Sequence, residues 1–169
     1  MSMLSAVQQD EVDRLVGDWR RERPDLDLDP LEVLSRVNRL SHHLDAARRQ
    51  SFADHGVEPW EFDVLAALRR AGPPYELSPG RLVKETLVTS GTMTNRVDRL
   101  AARDFVQRLP DPGDRRGVLV RLTDQGRRTV DGALEALLDR EHDLLGSLDD
   151  AGRTALAGLL RGLLVPFER

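Results

Sequence analysis

Apolar residues recur at steps of three and four along most of this chain, and each such stripe predicts an amphipathic helix. Leu4, Val12, Leu15, Val16 and Trp19 form one that ends before Pro24, and the acidic link DLDLDP leads to a second with Leu31, Leu34, Val37, Leu40 and Leu44. A third begins near Pro59, carries Phe62, Leu65 and Leu68, and ends by Gly72-Pro73-Pro74. After Thr123, a suitable cap, come Val130, Leu134, Leu137, Leu138 and Leu145; the last stripe holds Leu156, Leu159, Leu160, Leu163 and Leu164.

Between these long stripes the pattern changes twice. Ser78 and Pro79 suit the cap and first turn of a short helix with Leu82 and Val83. Leu87, Met93, Val97 and Leu100 then return at about helical spacing, with Thr89 or Ser90 as cap and Thr92, Asn95, Arg96 and Arg99 left for other faces. That helix should stop near Asp104, where an Asp tolerates left-handed dihedrals. From Phe105 the period becomes two: FVQRL, a turn at PDPGDRRG, and a return strand in which Val118, Val120 and Leu122 alternate with Leu119 and Arg121.

Two short helices joined by a tight turn and followed by a basic hairpin have the order of a helix-turn-helix with a wing. The second helix exposes Ser90, Thr92, Thr94, Asn95 and Arg99, residue types that reach base edges and phosphates from a major groove. Arg115 and Arg116 at the hairpin tip suit a narrow minor groove, whose negative potential attracts guanidinium groups. The arrangement predicts a protein that binds double-stranded DNA.

Charge sharpens this reading. The chain has 169 residues and a formal charge of -4, which argues against an indiscriminate polyanion binder. Yet Ser78–Arg128 holds eleven basic residues against six acids, and the remainder 14 against 23. A basic head on an acidic body should orient on DNA instead of coating it.

Other chemistries find little support. The absence of cysteine excludes a disulfide scaffold and a thiolate nucleophile and fits a reducing cytoplasm. No apolar run approaches the roughly 20 residues of a membrane span and no signal-peptide pattern opens the chain, so no membrane partner and a cytoplasmic protein are expected. His42, His43 and Asp45 lie close together, with His55 and His142 elsewhere, but no pair of histidines has i, i+4 spacing and no motif places a general base. Neither catalysis, a metal nor a cofactor is expected.

The terminal helices are more apolar on one side than a small winged-helix domain needs. That surplus predicts a homodimer whose two-fold axis would space two recognition helices about one DNA turn, ~34–36 Å, apart on an inverted repeat. The expected fold class is mainly α with a small β-hairpin wing: a winged helix-turn-helix at 58–123, dimerisation helices at 30–57 and 124–169, and an extra N-terminal helix with its linker at 1–29.

On the residues SGTMTNRVDRL and on Asp114-x-Arg116 followed by Val120, Leu122 and Thr123, the chain resembles the MarR-type winged-helix transcription factors, from about Leu31 to Leu164. The resemblance implies an intertwined homodimer that acts by default as a repressor. One departure is Asp104-Phe105, where the family usually has Gly before an apolar residue; Asp104 is expected to take the left-handed turn itself. The segment DWRRERPDLD looks like the added helix of a urate-responsive subfamily. That likeness implies a ligand site using Trp19, Asp63, Arg96 and Arg108, with urate, xanthine or hypoxanthine as leading ligands and a tricarboxylate behind them. A flat anion is served by an aromatic ring and a cation, as Trp19 and Arg108 offer. Asp63 is expected to pair with Arg96 and hold the recognition helix, a pairing that a ligand anion would displace. The competing reading is a DNA-binding protein that senses no ligand, or one that answers to another small carboxylate or aromatic anion.

Overall fold

Asp10 starts the first helix, α1 (Glu11–Glu22): its carboxylate accepts the backbone N–H groups of Val12 and Asp13 at 2.8 and 3.1 Å, and the Asp13 carboxylate accepts the Asp10 N–H in return at 2.7 Å. This reciprocal cap satisfies donors that a helix start otherwise leaves unpaired. The computed structural model describes residues 9–168, so Leu4, expected on this helix, lies outside the described residues. The chain parts into two compact units between Ala46 and Ala47, within the long helix α2 (Asp29–Ala53).

In the first unit, Val12 and Val16 are buried with Leu28, and Leu31 packs against them. Arg36 of α2 holds Asp10, Asp13 and Glu32 at 2.9, 2.7 and 2.9 Å. Its guanidinium keeps the Asp10 carboxyl below the usual carboxylate range. Leu15 and Trp19, the other half of the expected stripe, are exposed, Trp19 at 48%.

The second unit holds the remainder of α2, then α3 (Pro59–Arg70), β1 (Glu76–Leu77), α4 (Pro79–Thr86), α5 (Ser90–Ala102), β2 (Val106–Asp111), β3 (Asp114–Leu122), α6 (Asp124–Leu144) and α7 (Asp150–Leu164), closed by a short 3₁₀ turn at Val165–Phe167. Its core gathers Phe52 of α2, Leu65 and Leu68 of α3, Leu82 of α4, Met93, Val97 and Leu100 of α5, Val120 of β3 and Ala133 of α6. Phe52 and Phe62 stack at 4.2 Å between ring centroids. The sheet is antiparallel in the order β1-β3-β2, with Val106 opposite Leu122 and Arg108 opposite Val120. At the start of α6, Thr123 caps by accepting the Gly126 N–H at 2.9 Å. Gly126 itself sits so close to the Phe105 carbonyl that a Cβ there would clash.

Two local expectations are corrected. Leu87 does not share the apolar face of α5: it follows α4 at φ 53° and is 92% exposed, because it makes the turn between the two helices. Strand β1 was not expected; two residues carry no period, and its pairing with Arg121 and Val120 of β3 is what makes it a strand. Asp104 takes φ 57° after α5, as the Asp-for-Gly substitution requires.

The outer helices leave much apolar surface uncovered. Val33, Leu34, Val37 and Leu40 on α2, Leu134 and Leu138 on α6, and Leu159, Leu163 and Leu164 on α7 are all exposed, as is Phe167 beyond it, and no residue of α7 is buried. None of the described helices is long and apolar enough to cross a membrane.

Candidate nucleic-acid interface

Caps set the helix-turn-helix. Ser78 accepts the Arg81 N–H at 3.4 Å to begin α4, Leu87 in its left-handed conformation reverses the chain, and Thr89 accepts the Thr92 N–H at 3.3 Å to begin α5. With Met93, Val97 and Leu100 turned into the core, Ser90, Thr92, Thr94, Asn95 and Arg99 stand exposed on α5. Two of these hydroxyls already have local partners: Thr92 is bonded to Thr89 Oγ1 at 2.9 Å, and Thr94 donates to the Ser90 carbonyl at 3.1 Å. Asn95 and Arg99 are thus the longer polar side chains on this surface with no hydrogen bond to spend inside α5.

The wing tip is shaped by two aspartates. Asp111 accepts the Gly113 N–H at 2.8 Å, and Asp114 accepts the Arg116 N–H at 2.9 Å. Gly117 is required by packing, since a Cβ there would lie 2.8 Å from that of Asp111 and 3.0 Å from that of Asp114. Arg115 and Arg116 extend into solvent from this turn. The tip and the exposed face of α5 belong to one unit and are joined through Arg108 of β2, which pairs with Asp98 of α5 at 2.8 Å and donates to the Thr94 carbonyl at 3.4 Å.

An ion pair between an exposed arginine and a buried glutamate fixes the far end of α5. Arg103, the residue after the helix, donates to both carboxylate oxygens of Glu61 at 2.7 and 2.6 Å and to the Gly56 carbonyl at 2.6 Å. Glu61 is 1% exposed and also accepts the Glu58 N–H at 2.9 Å. Sequence reading missed this pair, whose partners lie 42 residues apart.

Of the residues expected to sense a ligand, Asp63 and Arg96 do not form the expected pair. Trp19 lies in the first unit, beside Leu15 in a shallow depression with Arg14, Asp18 and Glu22. Asp63 of α3 pairs with Arg48 of α2 at 3.4 Å, in a cleft that also includes Phe62, Arg70 and Glu85. It does not pair with Arg96, whose guanidinium instead lies over the ring of Trp60, 5.4 Å from its centroid. The reason is geometric: Arg96 lies on the face of α5 that carries Arg99, whose guanidinium covers the same indole at 4.7 Å. Among the described residues no three His, Cys, Asp or Glu side chains gather as a metal site would need. Nδ1 of His55 lies 3.0 Å from the Ser51 carbonyl and that of His142 2.7 Å from the Leu138 carbonyl, each one turn back on its own segment.

Residues 55–117 match the model of the MarR family. The regulator PecS of Dickeya dadantii is 38% identical over 150 residues, covering 89% of this chain and 90% of PecS. The transcriptional repressor NicR of Pseudomonas putida is 34% identical over 143 residues, covering 82% of this chain and 89% of NicR. Among solved structures, a cysteine-to-serine mutant of Escherichia coli MarR complexed with operator DNA superposes with a TM-score of 0.67 at 28% identity, over 81% of this chain and 95% of that one. BpsR of Bordetella bronchiseptica, whose DNA binding is regulated by 6-hydroxynicotinic acid, gives 0.64 at 32% identity, over 78% and 91%. These relatives are transcriptional regulators, not enzymes.

Proposed function

We propose that this chain, which belongs to the MarR family of winged-helix regulators, is a transcriptional repressor which binds an inverted-repeat operator as a homodimer and is released by a small anion, urate or a related purine such as xanthine. The observation that carries the DNA-binding half is the pairing, within one unit, of an exposed polar α5 face with an arginine-tipped hairpin. Ser90, Thr92, Thr94, Asn95 and Arg99 serve the major groove and Arg115 and Arg116 the minor groove.

The uncovered leucines of α2, α6 and α7 support the dimer. A monomer would hold Leu159, Leu163, Leu164 and Phe167 in water, where each costs part of the roughly 1.5–3 kcal/mol that burying such a side chain contributes.

For the ligand we assign the aromatic contact to Trp19, exposed on α1, and the anion response to Asp63, Arg96 and Arg108. Asp63 is the charge that an arriving anion displaces, from Arg48 in the structure as it stands. A preference of the ligand for the DNA-incompetent state by about 1–3 kcal/mol would weaken operator binding roughly 5–150-fold. A second reading, release by an aromatic carboxylate, is favoured by the resemblance to BpsR and its 6-hydroxynicotinic acid. Operator mobility shifts titrated with urate, xanthine, citrate and 6-hydroxynicotinate decide between the two. Release by urate or xanthine supports the purine, release by 6-hydroxynicotinate alone supports the carboxylate, and indifference to all four contradicts a sensing role for these anions. Asp63→Asn and Trp19→Phe should each blunt the release; unchanged release overturns the assignment of these residues.

A further inference from the structure

Trp60 stands at the start of α3 with guanidinium groups over its ring from two positions of α5, Arg96 at 5.4 Å and Arg99 at 4.7 Å from the ring centroid. Its indole N–H donates to Glu58 at 2.7 Å, and the same carboxylate reaches Arg99 only at 3.9 Å. Among the described residues Arg96 makes no ion pair, so two cations share one long contact to one exposed carboxylate and the cluster carries surplus positive charge. A cation–π contact uses none of a guanidinium's hydrogen bonds, so its N–H donors stay available to an oxyanion. Those donors border an open depression formed with Gly91, Thr92 and Asn95 on the amino-terminal half of α5.

We infer that Trp60 is a positioning residue for DNA binding: it holds Arg96 and Arg99 as a paired clamp for one backbone phosphate of the duplex, and Glu58 releases Arg99 when that phosphate arrives. The inference rests on the DNA-binding reading above and adds to it a residue outside α4, α5 and the hairpin. A backbone phosphate suits this place better than a small free anion, because the depression is open to solvent and contacts its occupant from one side, whereas small-ligand sites enclose most of the ligand. Arg96 thereby contacts DNA directly, whatever further part it has in the ligand response.

The test uses the two tryptophans of the chain. In full-length Trp19→Phe protein Trp60 is the sole tryptophan, and iodide, an anion, should quench it readily beside two guanidinium groups. A short random-sequence duplex at low salt binds through its phosphates, so it suffices as the probe. The clamp predicts that the duplex protects Trp60 from iodide, that added salt reverses the protection, and that inorganic phosphate gives none. Unchanged quenching while the labelled duplex demonstrably binds overturns the clamp and leaves the DNA-binding reading intact. Equal protection by inorganic phosphate overturns the duplex assignment in favour of a free-anion site. Failure of any duplex to bind overturns the DNA-binding reading itself. In parallel, Trp60→Leu should weaken duplex binding about fivefold while Trp60→Phe keeps most of it, because only the aromatic face attracts the cations. Wild-type binding by Trp60→Leu overturns the clamp, and matched thermal unfolding of the two variants separates this effect from loss of fold.

Discussion

Glu61 and Arg103 tie the carboxyl end of the recognition helix to the first turn of α3 through two hydrogen bonds of 2.7 and 2.6 Å. Glu61 is almost wholly buried, so removing Arg103 would leave its carboxylate without its cationic partner. Arg103→Ala should cost about 1–3 kcal/mol, discounted because the arginine is partly exposed, and Glu61→Gln should cost less because an amide still accepts from Arg103. Urea unfolding checks this. Equal stability of Arg103→Ala and wild type would mean the pair is not a structural clamp.

Gly126 should tolerate no side chain. The clash is with the Phe105 backbone carbonyl, which cannot rotate away as a side chain could, so Gly126→Ala should destabilise the junction of β3 and α6 by about 1–3 kcal/mol or more. Gly158→Ala on α7, where a Cβ meets nothing within 4 Å, is the control and should be neutral or slightly stabilising. A melting temperature that falls equally for both variants would contradict the packing argument.

Acid should loosen the chain at two named places. Hydrogen bonding to Arg140, and then to Gln50, holds the Asp54 carboxyl below its ordinary value of 3.8, and Arg36 does the same for Asp10. A carboxylate whose folded pKa lies below its unfolded one stabilises fully above the unfolded value, and loses that contribution as pH falls through the folded one. Urea midpoints should therefore drop as pH falls below 3.8, and Arg140→Gln should make that drop shallower. An identical acid limb in the variant would show that Asp54 does not contribute.

DNA contacts of different kinds should fail differently. Arg116→Ala should weaken binding to all sequences alike and lower the slope of log affinity against log salt by about one. Asn95→Ala should instead alter which base pairs are preferred, at about 1–3 kcal/mol for the affected position. Binding selections on a randomised duplex separate the two, and an unaltered preference in Asn95→Ala would remove that side chain from base readout.

Much of this architecture was legible because it rests on local chemistry. Ser78, Thr89 and Thr123 are caps, Met93, Val97 and Leu100 repeat at helical spacing, and Asp104 stands where a left-handed residue is needed. What escaped depends on contacts between distant segments. Leu87 fits the α5 period by number but belongs to the turn, and β1 exists only through β3. Asp63 had several arginines to choose from, and packing of α2 against α3 gave it Arg48. The i, i+3 spacing of Arg96 and Arg99 placed them on one face, but nothing near Trp60 in sequence announced that its ring would lie beneath both.

If two copies of this chain grip one duplex, sedimentation of the full chain mixed with an inverted-repeat duplex, itself selected by binding, should show two chains per duplex, a complex that Leu163→Glu on α7 disrupts. One chain per duplex, or a two-chain complex indifferent to that substitution, would contradict that arrangement.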